Sequence, residues 1–175
     1  MEVKQVKQPL NVISFIVENK PGVLFRVAWL IRRRNFNIES ISVGPTERPD
    51  LARMTITLYG DEHVIEQVVK QLRKLIDVVK VSRLDPENSV IREMALVKVH
   101  VPDQETRADL DYYVRAFRGK IVDVSPNATI VEVTGTPQKI DAFIDLMRTF
   151  GIKEIARTGA TALIRGSKSI TSEAK

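Results

Sequence analysis

The sequence contains no cysteine. That removes disulfides, thiolate nucleophiles and zinc–thiolate sites from consideration together. Histidine is nearly as scarce. His63 stands at a predicted helix start and His100 inside a predicted strand, with no second histidine near either, so a metal site is not expected. Long apolar runs are missing, and Met1 to Pro9 is polar and charged, without the pattern of a signal peptide. The expectation is a soluble, cytoplasmic protein with no membrane partner.

What is present is enough for a core: 43% of the 175 residues are hydrophobic, a length that suits one ordinary domain or two small ones. The formal net charge of +5 raises the question of nucleic acid. The densest basic run, Arg32-Arg33-Arg34, falls at the end of a predicted helix, where cations meet the negative end of the dipole favourably. The other basic residues are interleaved with acids, as on an ordinary solvated surface.

Taken in order, the chain reads as a repeated pattern. An apolar run (Val12, Ile13, Phe15, Ile16, Val17) predicts a strand that ends at Glu18-Asn19. Pro21 and Gly22 follow, and Leu24, Val27, Ala28 and Ile31 predict a helix from about Pro21 to Arg34. Asn35 and Asn37 end it. A strand from Ile38 to Val43 and the loop Gly44 to Asp50 lead to a third strand. Its residues Ala52, Met54, Ile56 and Leu58 alternate with Arg53, Thr55, Thr57 and Tyr59. Such alternation marks a sheet with helices on one face and solvent or another cover on the other. Gly60-Asp61 opens a helix with Ile65, Val68, Val69, Leu72 and Leu75 in one stripe, and Val78 to Leu84 is a fourth strand. The order is βαββαβ.

Residues 85–90 look like a linker, after which the order recurs: strand 94–101, a helix opened by Pro102-Asp103 and closed at Gly119, strands 120–124 and 128–134, a helix from Thr136-Pro137, and final strand material at 152–156 and 161–164. Gly60 and Gly135 each precede a helix, and Ile65, Val69 and Leu72 match Ile140, Ile144 and Met147 at the same offsets. The expected fold is α+β: two tandem ferredoxin-like βαββαβ units, each an antiparallel four-stranded sheet with two helices on one face. The expected division is a polar N-terminus (1–9), a first domain (10–84), a linker (85–90), a second domain (91–166) and a disordered tail (167–175).

No catalytic set emerges. Asp109 and Asp111 lie two apart on a helix and point to different faces. The Pro21-Gly22 turn lacks the Lys-Ser/Thr of a phosphate loop and the third glycine of a dinucleotide fingerprint. The alternative reading is a nucleic-acid-binding protein with tandem RNA-recognition-like folds, which share this strand order. It requires aromatic residues on the open sheet face, where this chain offers Tyr59 alone among Arg53, Thr55 and Thr57. The strand–turn–helix at 18–27 is the better candidate site. Gly22 allows close approach of a ligand, the helix start offers unpaired N–H groups to an anion, and Asn19 could cap the helix or bind the ligand.

The stretch ENKPGVLFRVAWLIRRRNFNIESISVGPTERPDLARMTI, followed by GDEHVIEQVVKQLRKLIDVVKV, resembles the small regulatory subunit of acetohydroxyacid synthase (acetolactate synthase), whose N-terminal unit is an ACT domain. REMALVKV, FRGKIVDVSPNATIVEVTGTPQKIDAFI and ARTGATALIRG resemble that family's C-terminal domain, so the likeness runs over about residues 10–166. It implies a chain without catalytic residues or a cofactor of its own. Its large partner subunit carries thiamine diphosphate, Mg²⁺ and FAD and condenses pyruvate with pyruvate or 2-ketobutyrate. The small subunit activates that partner and confers feedback inhibition, usually by valine. The resemblance also implies a homodimer of side-by-side ACT domains with the effector at their interface. Carried onto this chain, the effector site is Asn19, Lys20, Pro21, Gly22, Val23 and Leu24 of one protomer with Asn37 and Ile38 of the other. Phe25 departs from the small residue the family often has there.

Overall fold

The computed structural model describes residues 9–170. The expectations placed on residues 1–8 and on the end of the tail, 171–175, fall outside them. The chain divides into two compact units, one formed by residues up to 90 together with those from 160 onward, the other by 91–159.

In the first unit, β1 (Leu10–Glu18), α1 (Val23–Arg33), β2 (Ile38–Pro45), β3 (Leu51–Tyr59), α2 (Glu62–Leu72) and β4 (Val78–Leu84) follow the βαββαβ order. The strands pair antiparallel in the order β2-β3-β1-β4. Period-two alternation sends Ile13, Phe15 and Val17 of β1 and Ala52, Met54, Ile56 and Leu58 of β3 to one face. The buried stripes of α1 (Val23, Val27, Leu30, Ile31) and α2 (Ile65, Val68, Leu72) close over it. The stripe of α1 differs from the predicted one. Leu24 is left outside and Val23 and Leu30 are buried, because the helix is apolar on two adjacent faces and the sheet takes only one. The second face of the sheet is not solvated either: Ser14, Thr55 and Thr57 are at most 2% exposed. Their hydroxyls are satisfied locally, Ser14 Oγ accepting from Arg53 Nη1 at 3.1 Å and Ser40 Oγ meeting Thr57 Oγ1 at 2.6 Å. The base-stacking platform of the alternative reading is therefore missing from this face.

The second unit repeats the scheme with β5 (Ser89–His100), α3 (Gln104–Ala116), β6 (Lys120–Ser125), β7 (Ala128–Gly135), α4 (Pro137–Met147) and β8 (Ile152–Arg157), in the antiparallel order β6-β7-β5-β8. Its core joins Ala95, Val97, Val99, Val131 and Val133 to Leu110, Val114, Ile140, Phe143, Ile144 and Met147. Four details differ from expectation. β5 begins at Ser89, inside the expected linker. β9 (Thr161–Ile164), which belongs with the first unit, pairs with β5, the strand that starts in that unit at Ser89. Ile170, in the expected tail, is buried because its apolar side chain has packing to gain. And α3 ends before Gly119: Arg118 itself takes the left-handed position (φ 52°), and the Gly119 N–H bonds back to Val114 O at 2.8 Å.

The matched glycines have a physical cause. A Cβ on Gly60 would lie 2.8 Å from Val64 Cγ1 and 3.1 Å from Val64 Cβ; on Gly135 it would meet the Lys139 side chain. Both glycines precede a cap, Asp61 or Thr136, whose side chain accepts the N–H of that same neighbour, Val64 or Lys139. Valine in a helix has essentially one rotamer and cannot yield, whereas the end of a lysine can. Gly60→Ala should therefore cost about 1–3 kcal/mol by overpacking, and Gly135→Ala less than about 1 kcal/mol. Urea unfolding of both variants, followed by circular dichroism, checks the difference; equal losses would contradict it.

Candidate functional site

The turn between β1 and α1 is tied down by main-chain bonds on both sides. The Glu18 N–H donates to Asp77 O at 2.9 Å, and the Asn19 N–H to Asp50 O at 2.8 Å. Asn19 does not cap the helix. Its Nδ2 donates to Pro49 O at 3.1 Å, which leaves Oδ1 as the atom able to accept from a ligand. Pro21 also lies outside the helix, two residues before Val23, because the Val23 N–H turns back to Lys20 O at 3.4 Å. Gly22 is the N-cap residue, with φ 85° and open space around the position of a Cβ. Only glycine takes that backbone conformation without penalty.

This makes α1 unlike the other α-helices. Asp61, Asp103 and Thr136 cap α2, α3 and α4 through their side chains; Gly22 has no side chain to offer. The first helical bond of α1 is Arg26 N–H to Gly22 O at 3.1 Å, so the N–H groups of Gly22, Leu24 and Phe25 have no acceptor within the helix. They point out of the helix start, with the positive end of the dipole behind them. The side-chain cations beside them are already paired. Lys20 Nζ lies 2.9 Å from Glu18 Oε2, and Arg26 Nε 2.6 Å from Asp77 Oδ2. Across the turn, a hydrogen bond from Arg48 holds the Asp50 carboxyl below the usual carboxylate range. A small anion is thus left to the main chain, which suits a carboxylate.

The other two predicted residues stand elsewhere. Asn35 (φ 55°) ends α1 in the left-handed conformation, and the Phe36 N–H closes the helix on Ile31 O at 3.1 Å. Asn37 follows, exposed, and Ile38 opens β2, half-buried against the core. The 11 residues of α1 separate this end from Gly22 by about 16 Å. The structure therefore brings Asn19 to Leu24 together and keeps Asn37 and Ile38 apart from them within one chain. Between the two ends runs an apolar surface: Leu24, Phe25 and Trp29 of α1 are 47%, 71% and 50% exposed, and Ile41 and Val43 stand out from the edge strand β2. Phe25, the departure from the family pattern, belongs to this outer surface. A hollow of about 340 Å³ lies elsewhere, between α2 and β4, and no predicted site residue lines it. Among the described residues no group of three or more acidic or histidine side chains is placed to hold a metal, and no helix is long and apolar enough to cross a membrane.

Comparison with known proteins shows the family. Residues 13–80 match the AHAS small subunit-like ACT domain, and residues 92–166 match the family described as small subunit of acetolactate synthase. The chain is similar to the probable acetolactate synthase small subunit of Methanothermobacter thermautotrophicus, with 55% identity over 95% of this chain and 99% of that protein. Its counterpart in Archaeoglobus fulgidus is 57% identical over 90% of this chain and 98% of its own length. The crystal structure of the small subunit from Thermotoga maritima superposes with a TM-score of 0.84 at 47% identity, covering 91% of this chain and 99% of that one. The chain belongs to the acetolactate synthase small-subunit family: it is a regulatory subunit, with an N-terminal ACT domain, of an enzyme of branched-chain amino acid biosynthesis.

Proposed function

We propose that the first unit senses a branched-chain amino acid, valine foremost, at an interface between two copies of the chain, and that the second unit serves assembly with the catalytic subunit. In the cytoplasmic complex so formed, the chain activates a thiamine-diphosphate-, Mg²⁺- and FAD-dependent partner and makes it subject to feedback inhibition. The observation that supports this reading is the uncapped start of α1. Three outward N–H groups on Gly22, Leu24 and Phe25 match an amino-acid carboxylate, and the amide oxygen of Asn19 matches its ammonium. Asn37 can supply a second amide oxygen only from another chain, since the helix length holds it away from its own turn. The exposed apolar surface of α1 and β2 is the area a second copy would cover, and Leu24 and Ile38 would wall the effector side chain.

An effector shared between two chains favours whichever dimer arrangement closes the site, which is what couples binding to the activity of the partner. Calorimetric titration of the full chain with valine, leucine, isoleucine and alanine tests the reading. Saturable binding of the L-isomer of one branched-chain amino acid is expected, and binding of none would count against it.

Two substitutions probe the geometry. Gly22→Asp and Gly22→Asn impose the same left-handed strain in open space, but only the first places a carboxylate beside the effector's own. Valine affinity should fall more than tenfold further in Gly22→Asp than in Gly22→Asn; equal losses would show that strain alone matters. Asn37→Ala should remove one hydrogen bond to a charged group, worth about 1.5–3 kcal/mol. In a mixed dimer of Asn37→Ala with Gly22→Asp chains, one site collects both defects and the other is intact, so half the sites should bind normally. A mixed dimer with no normal site would contradict the two-chain arrangement.

A further inference from the structure

Asp77 lies 51 residues along the chain from Arg26 and has no role in the sequence reading, yet it touches both ends of the effector turn. Its main-chain carbonyl receives the Glu18 N–H at 2.9 Å, where β1 gives way to the turn. Its carboxylate pairs with Arg26, in the first turn of α1: Oδ1 accepts from Nη2 at 2.8 Å, and Oδ2 lies 2.6 Å from Nε as a charge contact without hydrogen-bond geometry. The Asp77 side chain is 7% exposed and that of Arg26 is 48% exposed, so the acid is fixed inside and the arginine reaches in to it. The anchor itself is rigid. Asp77 sits in a turn closed by the Val78 N–H to Leu75 O at 3.0 Å, and Leu75 and Val78 pack against the core.

We propose that Asp77 is a positioning residue for the effector site: one residue holds the entry and the exit of the 18–26 segment and thereby sets where the N–H groups of Gly22, Leu24 and Phe25 point. By pairing with Arg26 it also keeps that guanidinium from competing with those N–H groups for the ligand carboxylate. The inference rests on the effector reading above for its ligand, but the clamp itself is a property of the free chain.

The test uses full-length Asp77→Asn, Arg26→Gln and the double variant. Asp77→Asn keeps the main-chain carbonyl, the shape and the turn, and removes only the charge. Two readouts are taken. In the absence of ligand, hydrogen exchange at the amides of Glu18, Val23 and Arg26 should quicken at least tenfold in Asp77→Asn, while Leu30 and Ile31 in the same helix exchange as before. In valine titrations, Asp77→Asn and Arg26→Gln should each lose at least tenfold in affinity, and the double variant should be no worse than the weaker single, since both break one contact. Unchanged exchange at those amides overturns the clamp, whether or not any ligand binds. Unchanged valine affinity in Asp77→Asn, with the unsubstituted chain binding normally, overturns its role at the site. Additive losses overturn it as well, for they would mean that Arg26 meets the ligand directly. An unsubstituted chain that binds no branched-chain amino acid would refute the effector reading, while the exchange measurement would still decide the clamp.

Discussion

A helix cannot satisfy its own first N–H groups, and each helix in this chain must find another partner for them. In α2, α3 and α4 the partner is the side chain of Asp61, Asp103 or Thr136. In α1 the residue at that place is Gly22, so the groups remain on offer. Much else about the first unit follows from holding that offer in place. The end of β1 is pinned to Asp77 and Asp50, Asn19 is pinned to Pro49, and the adjacent cations Lys20 and Arg26 are neutralised by Glu18 and Asp77. A turn with no cap would ordinarily be a weak point. Here it is surrounded by bonds that fix it.

The two units show how one framework divides its tasks. Both place two helices over an antiparallel four-stranded path, and both begin their second helix with a glycine and a capping side chain. They differ at the first helix. α3 is capped by Asp103, whose carboxyl is held below its usual range by the Thr106 N–H, whereas the start of α1 has no side-chain cap. In the proposed reading, glycine in place of a capping residue at one position is what turns a structural helix start into a binding one.

Much of this was legible in the sequence. The period-two runs of β1 and β3, the stripe of α2 and the matched offsets from Gly60 and Gly135 give the tandem fold, because burial on one face of a strand or helix leaves a regular trace in the residues. Gly22 could be read as the key residue of the turn, since its neighbours break both strand and helix patterns. What stayed hidden depends on distance along the chain. Nothing local in Leu75-Ile76-Asp77 tells that this turn meets Arg26, and nothing near Asn19 tells that its amide is taken by Pro49 rather than by the helix. Whether Thr55 and Thr57 face solvent or a cover stayed open, because alternation reports which face a residue takes and not whether that face is covered. The apolar doublets of α1 were ambiguous for a related reason: one stripe packs inward, and the other, with Phe25 and Trp29, faces outward.

The central claim is that one effector site is built from the start of α1 in one chain and from the residues after α1 in another. A crystal structure of the full chain grown with L-valine tests it most directly. The account predicts a valine carboxylate about 3 Å from main-chain N–H groups of Gly22, Leu24 or Phe25, with its ammonium facing Asn37 of a second copy across the α1 and β2 surface. Valine held wholly within one chain, or seated in the hollow between α2 and β4, would contradict it.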